Sequence, residues 1–330
     1  EKGAVNSEVN ASNVTIASAT MSSINAAEAV QNVAIATDVA TVTVDSDAWA
    51  AMTENAANSA VVLSVEKTAA TASAPLTYTI TATAGGNEIF SSDNARGGVT
   101  VSVPYSEETT PVVYYVGPSG LKNMNATLNG GNLVWVAYHF SDYVVLTGDP
   151  EAAVTENGTV TPYDTLEAAI TAANSASGTV VVDLLKNATV EPATGAIRND
   201  GALNITSSMT INGNTYTITA DTTKFIVPAA DERGNFHVFN ITGGKVAINN
   251  LTIDGSEQAA HGVNVWTANG AADKADVTLM NVTIENNTGY GVVTVGSNMS
   301  VENITTTGNA WGGINVDNSE SSATGGTFTM

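Results

Sequence analysis

Residues 277–316 read VTLMNVTIENNTGYGVVTVGSNMSVENITTTGNAWGGINV, and the two halves of this stretch nearly repeat each other. Asn281 and Asn303 are 22 residues apart, as are Gly291 and Gly313. An upstream unit, Asn250 to Gly262, fits the same frame if one turn is two residues longer and the loop near TANGAADKAD seven longer, giving 31 residues from Asn250 to Asn281. Repeats of 20–50 residues mark stacked architectures. A 22-residue unit of three short strands matches one turn of a right-handed parallel β-helix, whose coils stack at about 4.8 Å so that like residues lie over one another. The spacing therefore predicts an amide ladder of Asn250, Asn281 and Asn303, hydrogen-bonded along the interior of a bend. Apolar stacks are expected beside it: Leu251, Val282 and Ile304; Ile253 and Ile284; Val263, Val292 and Ile314.

Upstream, VTENGTVTPYDTLEAAITAANSASGTVVVDLL opens this second domain, expected to span 149–330. Asp164 followed by Glu167 predicts a capping box. Leu166, Ala169, Ile170 and Ala173 form an apolar stripe, so 165–174 is expected to be an amphipathic helix capping the first coil, whose bare edge would otherwise invite aggregation. The last residues, Gly325 to Met330, stop in what reads as another strand, and the natural chain is expected to continue.

The preceding 14–148 differ in pattern. Runs such as ATVTVDS, AVVLSVEK, LTYTITAT, VTVSVPY and NLVWVAY alternate and are separated by turns such as Ala84-Gly85-Gly86-Asn87, which predicts an antiparallel β-sandwich. Two Ala-rich stretches interrupt it. AWAAMTENAAN places Trp49, Met52 and Ala56 on one helical face behind Asp45-Ser46-Asp47, and SATMSSINAAEAV is its expected counterpart, so 14–65 reads as a duplicated strand, helix and strand. Residues 1–13 read as a linker. The fold class is thus all-β, a sandwich-like module with short helices followed by a capped parallel β-helix.

Composition narrows the partners. Thirty-two acidic residues against ten Lys and Arg give a net charge of −22, which opposes binding to nucleic acid or anionic lipid. No run approaches the roughly 20 apolar residues that cross a bilayer, and Glu1 opens no signal-peptide pattern; an export address is expected to lie outside this sequence or to have been removed. With no cysteine, disulfides and thiolate chemistry are excluded. About a dozen Asn-x-Ser/Thr sequons occur, among them Asn125, Asn187, Asn240 and Asn303, and Asn/Thr-rich strand composition accounts for them.

Two stretches carry a resemblance. Residues 97–146, with His139-Phe140-Ser141 and Tyr143-Val144-Val145, resemble a module of large secreted or wall-associated proteins of Gram-positive gut bacteria, and ATVTVDSDAWAAMTENAANSAVVLSVEK is similar to the upstream part of that module. GTVTPYDTLEAAITAANSASGTVVVDLLKNATV is similar to the opening of pectin-lyase-like β-helix domains in such proteins, through Tyr163, Thr165, Leu166, Ala168, Ala169 and Ile170, with Glu167 one place early. The resemblance implies a cell-surface, adhesin-like or glycan-facing role and no defined reaction.

No catalytic residue is assigned on that basis. β-Helix lyases use calcium-binding acids with an Arg or Lys base, and hydrolases use clustered Asp with a nearby His. Here the only arginines are Arg96, Arg198 and Arg233, there is no Asp-Asp pair, and His261-Gly262 stands without the hydrolases' companions. Asp254 and Glu285 occupy equivalent positions, which favours a solvated stripe over a catalytic dyad; Asp317 is the third acid on a coil face. The residues before the strand glycines are His261, Tyr290 and, with a one-residue shift, Trp311. They are expected to align on one edge, either as a surface for sugar rings or as a shield for the turn. Trp266 either joins them or sits beneath the inserted loop. No metal site is assigned; calcium is the one cofactor the acid-rich loops allow, with Asp45-Ser46-Asp47 the densest motif and helix capping the competing explanation. Three functions remain open: a non-enzymatic surface adhesin binding glycans or host proteins, a polysaccharide lyase or hydrolase, and a structural stalk or array subunit.

Overall fold

The computed structural model describes residues 5–8, 12–27, 29–71, 74–107, 109–194, 196, 200–225, 236–267, 273–317 and 326–330. The protein is all-β with three short helices among these residues: α1 (Ser18–Asn25), α2 (Ser46–Asn55) and α3 (Leu166–Ser175). It divides into two compact units, Glu1–Gly148 and Asp149–Met330.

In the first unit two sheets share one core. One orders its strands Val5–Glu8, Asn32–Ala36, Thr41–Asp45, Val99–Pro104, Asn132–Ala137, Thr127–Asn129. The other runs Gly120–Asn123, Val112–Gly117, Asp142–Leu146, Leu76–Ala84, Val61–Thr68, Asn13–Ile16. Strict alternation sends every second residue inward: along Leu76–Ala84 the chain buries Leu76, Tyr78, Ile80, Ala82 and Ala84. Tyr78 meets Trp135 of the other sheet at 6.2 Å between ring centroids. The linker expected at 1–13 is partly strand, since Val5–Glu8 lies parallel to Asn32–Ala36 and Asn13 already begins the next strand.

The duplicated plan explains how these sheets are joined. Asn13–Ile16, α1 and Asn32–Ala36 pass from the second sheet to the first; Thr41–Asp45, α2 and Val61–Thr68 pass back. The outer strands of the two segments pair antiparallel, as do the inner ones. Trp49 ties the helices together by donating from Nε1 to the Met21 carbonyl at 3.2 Å. His139, Phe140 and Tyr143 act as a corner: the Tyr143 hydroxyl donates to the His139 carbonyl at 2.7 Å, and Phe140 packs on Phe90 at 5.0 Å. Burial pushes the Tyr143 phenol well above its ordinary pKa.

The second unit begins with an antiparallel hairpin, Ala152–Glu156 with Thr159–Tyr163, and Ala152–Glu156 also pairs antiparallel with Val180–Leu184. From there every pairing is parallel. One sheet continues through Met209–Asn212, Lys245–Asp254, Asp276–Glu285, Asn298–Thr307 and Phe328–Thr329. A second sheet, Gly201–Ile205, His237–Ile241, Val263–Trp266, Tyr290–Val295 and Gly312–Asp317, takes the strands in between. The expected apolar stacks are in register: Leu251 with Val282 and Ile304, Ile253 with Ile284, and Val263 with Val292 and Ile314.

α3 buries Leu166, Ala169, Ile170 and Ala173, the four residues of its sequence stripe, into the core that Val182, Leu203 and Ile205 share. Burying Leu166 and Ile170 contributes about 1.5–3 kcal/mol each. Its start differs from the expected capping box. Thr165, not Asp164, is the N-cap and accepts from Ala168 N at 3.2 Å, while Glu151 from the preceding hairpin accepts from Leu166 N at 2.7 Å. Glu167 is thereby released to accept from Glu191 N at 2.9 Å.

The asparagine ladder forms, but on the other side of the chain from that expected. Asn281 donates to Asn250 at 3.0 Å and Asn303 to Asn281 at 2.7 Å, with all three side chains exposed rather than interior. Their φ angles, +54°, +56° and +50°, lie in the left-handed region that Asn tolerates better than other non-glycine residues. The bend selects the residue type, and the ladder is a bonus of the stacking.

Candidate functional site: an aromatic edge on the second unit

The parallel register of the five-stranded sheet fixes the row. With Phe239 opposite Val263, Val263 opposite Val292 and Tyr290 opposite Gly312, successive strands place His237, His261, Tyr290 and Gly312 at one level. His237 and His261 stack with centroids 4.9 Å apart and planes inclined by 6°. His261 meets Tyr290 at 5.9 Å, and Trp311 stands edge-on to both Tyr290, at 5.7 Å, and His261, at 6.2 Å. His261, Tyr290 and Trp311 therefore come together as the sequence predicts.

Trp311 reaches the row from one position early. Its backbone N–H donates to the Gly289 carbonyl at 3.0 Å, so Gly-Tyr in one strand lead-in is replaced by Trp-Gly in the next. Gly289 is required by the stack itself, because a Cβ there would lie 2.6 Å from both His261 Cε1 and the Ala260 carbonyl oxygen. In the turns that lead into these strands, Asn287 donates from Nδ2 to Asn309 Oδ1 at 2.7 Å and fixes the two turns against each other.

Exposure grades along the row. His237 is buried, His261 and Tyr290 are half-buried, and Trp311 is 51% exposed. Burial, reinforced by the neighbouring His261, pushes the His237 pKa down to about 3. Its Nδ1 is buried without a hydrogen-bond partner. Burial also lowers the His261 pKa, and its Nδ1 accepts from Tyr290 N at 3.0 Å, a geometry that requires the ring proton to sit on Nε2. The row is thus an uncharged aromatic surface ending in a half-exposed indole.

Two features of this unit escaped the sequence reading. His237 stands in the same frame as His261, two residues before an inward apolar residue (Phe239 and Val263), and carrying the repeat upstream of Asn250 would have found it. A second amide ladder links Asn264 to Asn240 at 2.9 Å and Asn240 to Asn204 at 3.2 Å, on the five-stranded sheet.

Other candidate residues lie elsewhere. Trp266 ends the strand Val263–Trp266, five residues beyond His261 and opposite Val295, so it takes no place in the ring row; it is 47% exposed. The inserted loop considered as its cover, at 268–272, lies outside the described residues. Asp254 and Glu285 are in register, and Asp254 Oδ1 accepts from Ser256 N at 2.8 Å and Asn286 Nδ2 at 3.0 Å. Asp317 belongs to the other sheet. In the first unit, Asp45 spends its carboxylate on Ala48 N at 2.8 Å and Gly98 N at 2.6 Å, as N-cap of α2. Among the described residues no three His, Asp or Glu side chains gather to hold a metal ion, and no helix is long and apolar enough to cross a membrane.

Comparison with known proteins finds no match among family models, curated proteins or solved structures.

Proposed function

We propose that the chain is part of a non-enzymatic, adhesin-like protein of a bacterial cell surface, in which a sandwich-like spacer precedes a right-handed parallel β-helix closed at its first coil by α3. On this reading the aromatic edge ending in Trp311 binds sugar rings. The observation that supports it is the half-exposed Trp311 indole, held edge-on against Tyr290 and His261. Apolar C–H faces of a pyranose pack on such a ring. The net charge of −22 favours neutral over acidic glycans.

The test is a glycan-array screen followed by titration of the best neutral oligosaccharide. Trp311→Ala should lower affinity by about tenfold, equivalent to losing about 1.4 kcal/mol of ring stacking, while Trp311→Phe retains most of it. Binding indifferent to Trp311→Ala, or no neutral glycan bound at all, would overturn this assignment.

A further inference from the structure

α3 lies beside the first strand of the five-stranded sheet, Gly201–Ile205, whereas Trp311 lies at its last, Gly312–Asp317. Between α3 and the turns that follow Ala188–Val190 and Thr217–Ala220 is a cleft of about 580 Å³, within the size range of small-ligand sites. Its helical wall carries Glu167, Thr171 and Asn174, the opposite wall Glu191 and Asp221, and its floor includes Ile170 and Ala202.

The walls are held in place by bonds that do not involve a ligand. Asn174 donates from Nδ2 to the Asn204 carbonyl at 2.7 Å and accepts at Oδ1 from Thr206 N at 2.9 Å. Glu167 Oε1 is anchored by Glu191 N, and Asp221 Oδ1 by the Thr223 N–H at 2.7 Å and hydroxyl at 2.6 Å. Those two bonds hold the Asp221 carboxyl below its ordinary pKa. Lys224 is the countercharge that approaches among the described residues, 3.4 Å from Glu191 on a surface where both are more than half exposed, and its charge also helps lower the Asp221 pKa. The cleft therefore combines three carboxylates, hydroxyls and amides at fixed positions, and an apolar floor.

We propose that this cleft binds a sugar unit bearing a protonated amine. An acidic sugar would be repelled by the carboxylates. A neutral sugar would leave three carboxylates facing the single ammonium of Lys224, and a plain alkylamine would leave the hydroxyl and amide lining unmatched. An ammonium between Glu167 and Asp221 makes charge-assisted hydrogen bonds, the ring hydroxyls address Thr171 and Asn174, and the C–H face lies on Ile170 and Ala202. The proposal is independent of the Trp311 edge.

The experiment is calorimetric titration of the full chain with a glucosamine tetrasaccharide and with its fully N-acetylated counterpart. The free-amine form should bind at least about tenfold more tightly, and Glu167→Gln with Asp221→Asn should remove that preference. Glu66→Gln with Glu107→Gln removes the same charge from exposed positions of the first unit and should leave binding unchanged. Thr171→Lys, at an exposed helical position that tolerates substitution, puts a fixed ammonium into the cleft and should abolish binding even if the carboxylate variant misfolds. Equal binding of the two tetrasaccharides, equal loss in both double variants, or binding undiminished by Thr171→Lys would overturn the proposal.

Discussion

A single torsion angle accounts for Asn250, Asn281 and Asn303. Their side chains face solvent, so a requirement to satisfy buried amides does not explain them; the left-handed backbone does. The two explanations separate on substitution. Asn281→Gly keeps the backbone at ease and loses only exposed ladder bonds, so it should cost less than about 1 kcal/mol. Asn281→Ala forces a Cβ into the left-handed region as well and should cost about 1–2 kcal/mol more. Urea unfolding followed by circular dichroism reads the difference, and equal losses in the two variants would return the explanation to the ladder bonds.

At the scale of strands, His237 and His261 show what parallel register does to ionisable groups. Identical spacing stacks two imidazoles face to face, and burial then disfavours a charge on either. Because the folded pKa of His237 lies near 3, below its ordinary 6.5, its contribution to stability is fully present above pH 6.5. That contribution declines as pH falls from there toward 3, at up to about 1.4 kcal/mol per pH unit. His237→Phe removes this proton linkage while preserving a ring in the stack. The stability difference between wild type and variant, measured from pH 7.5 down to 5, should therefore move against the wild type on acidification, with the carboxylates shared by both proteins cancelling. A pH-independent difference would mean that His237 is readily protonated in the folded state.

Across the whole molecule the dominant electrostatic fact is the charge of −22. Arg96 pairs with Glu54, Lys186 with Asp149 and Lys224 with Glu191, all at the surface, and such pairs offset little of the general repulsion. Folding concentrates that charge, so screening should stabilise the folded state. Raising NaCl from about 0.02 M to 0.5 M shortens the Debye length from roughly 20 Å to about 4 Å, and the urea midpoint at pH 7 should rise. A midpoint that falls with salt would show that attractive pairs outweigh the net repulsion.

What the sequence determined by itself was whatever local chemistry repeats. Alternation in LTYTITATA set which residues of that strand are inward, and the repeat, 22 residues from Val282 to Ile304 and 31 from Leu251 to Val282, set their register. The stripe Leu166, Ala169, Ile170, Ala173 set the buried face of α3. Tertiary structure decided which side of the chain a repeated residue faces and which distant groups meet. Asn281 points outward because the sense of the bend is fixed by packing on both sides of it. Thr165 caps α3, and Glu151, fifteen residues before Leu166 and brought back by the hairpin, takes the Leu166 N–H that the expected box left open. The cleft beside α3 draws on Glu167 and Asp221, 54 positions apart. Periodicity is encoded within a strand or a helix and survives in one dimension, whereas convergence of remote side chains depends on how the whole chain closes and leaves no local trace.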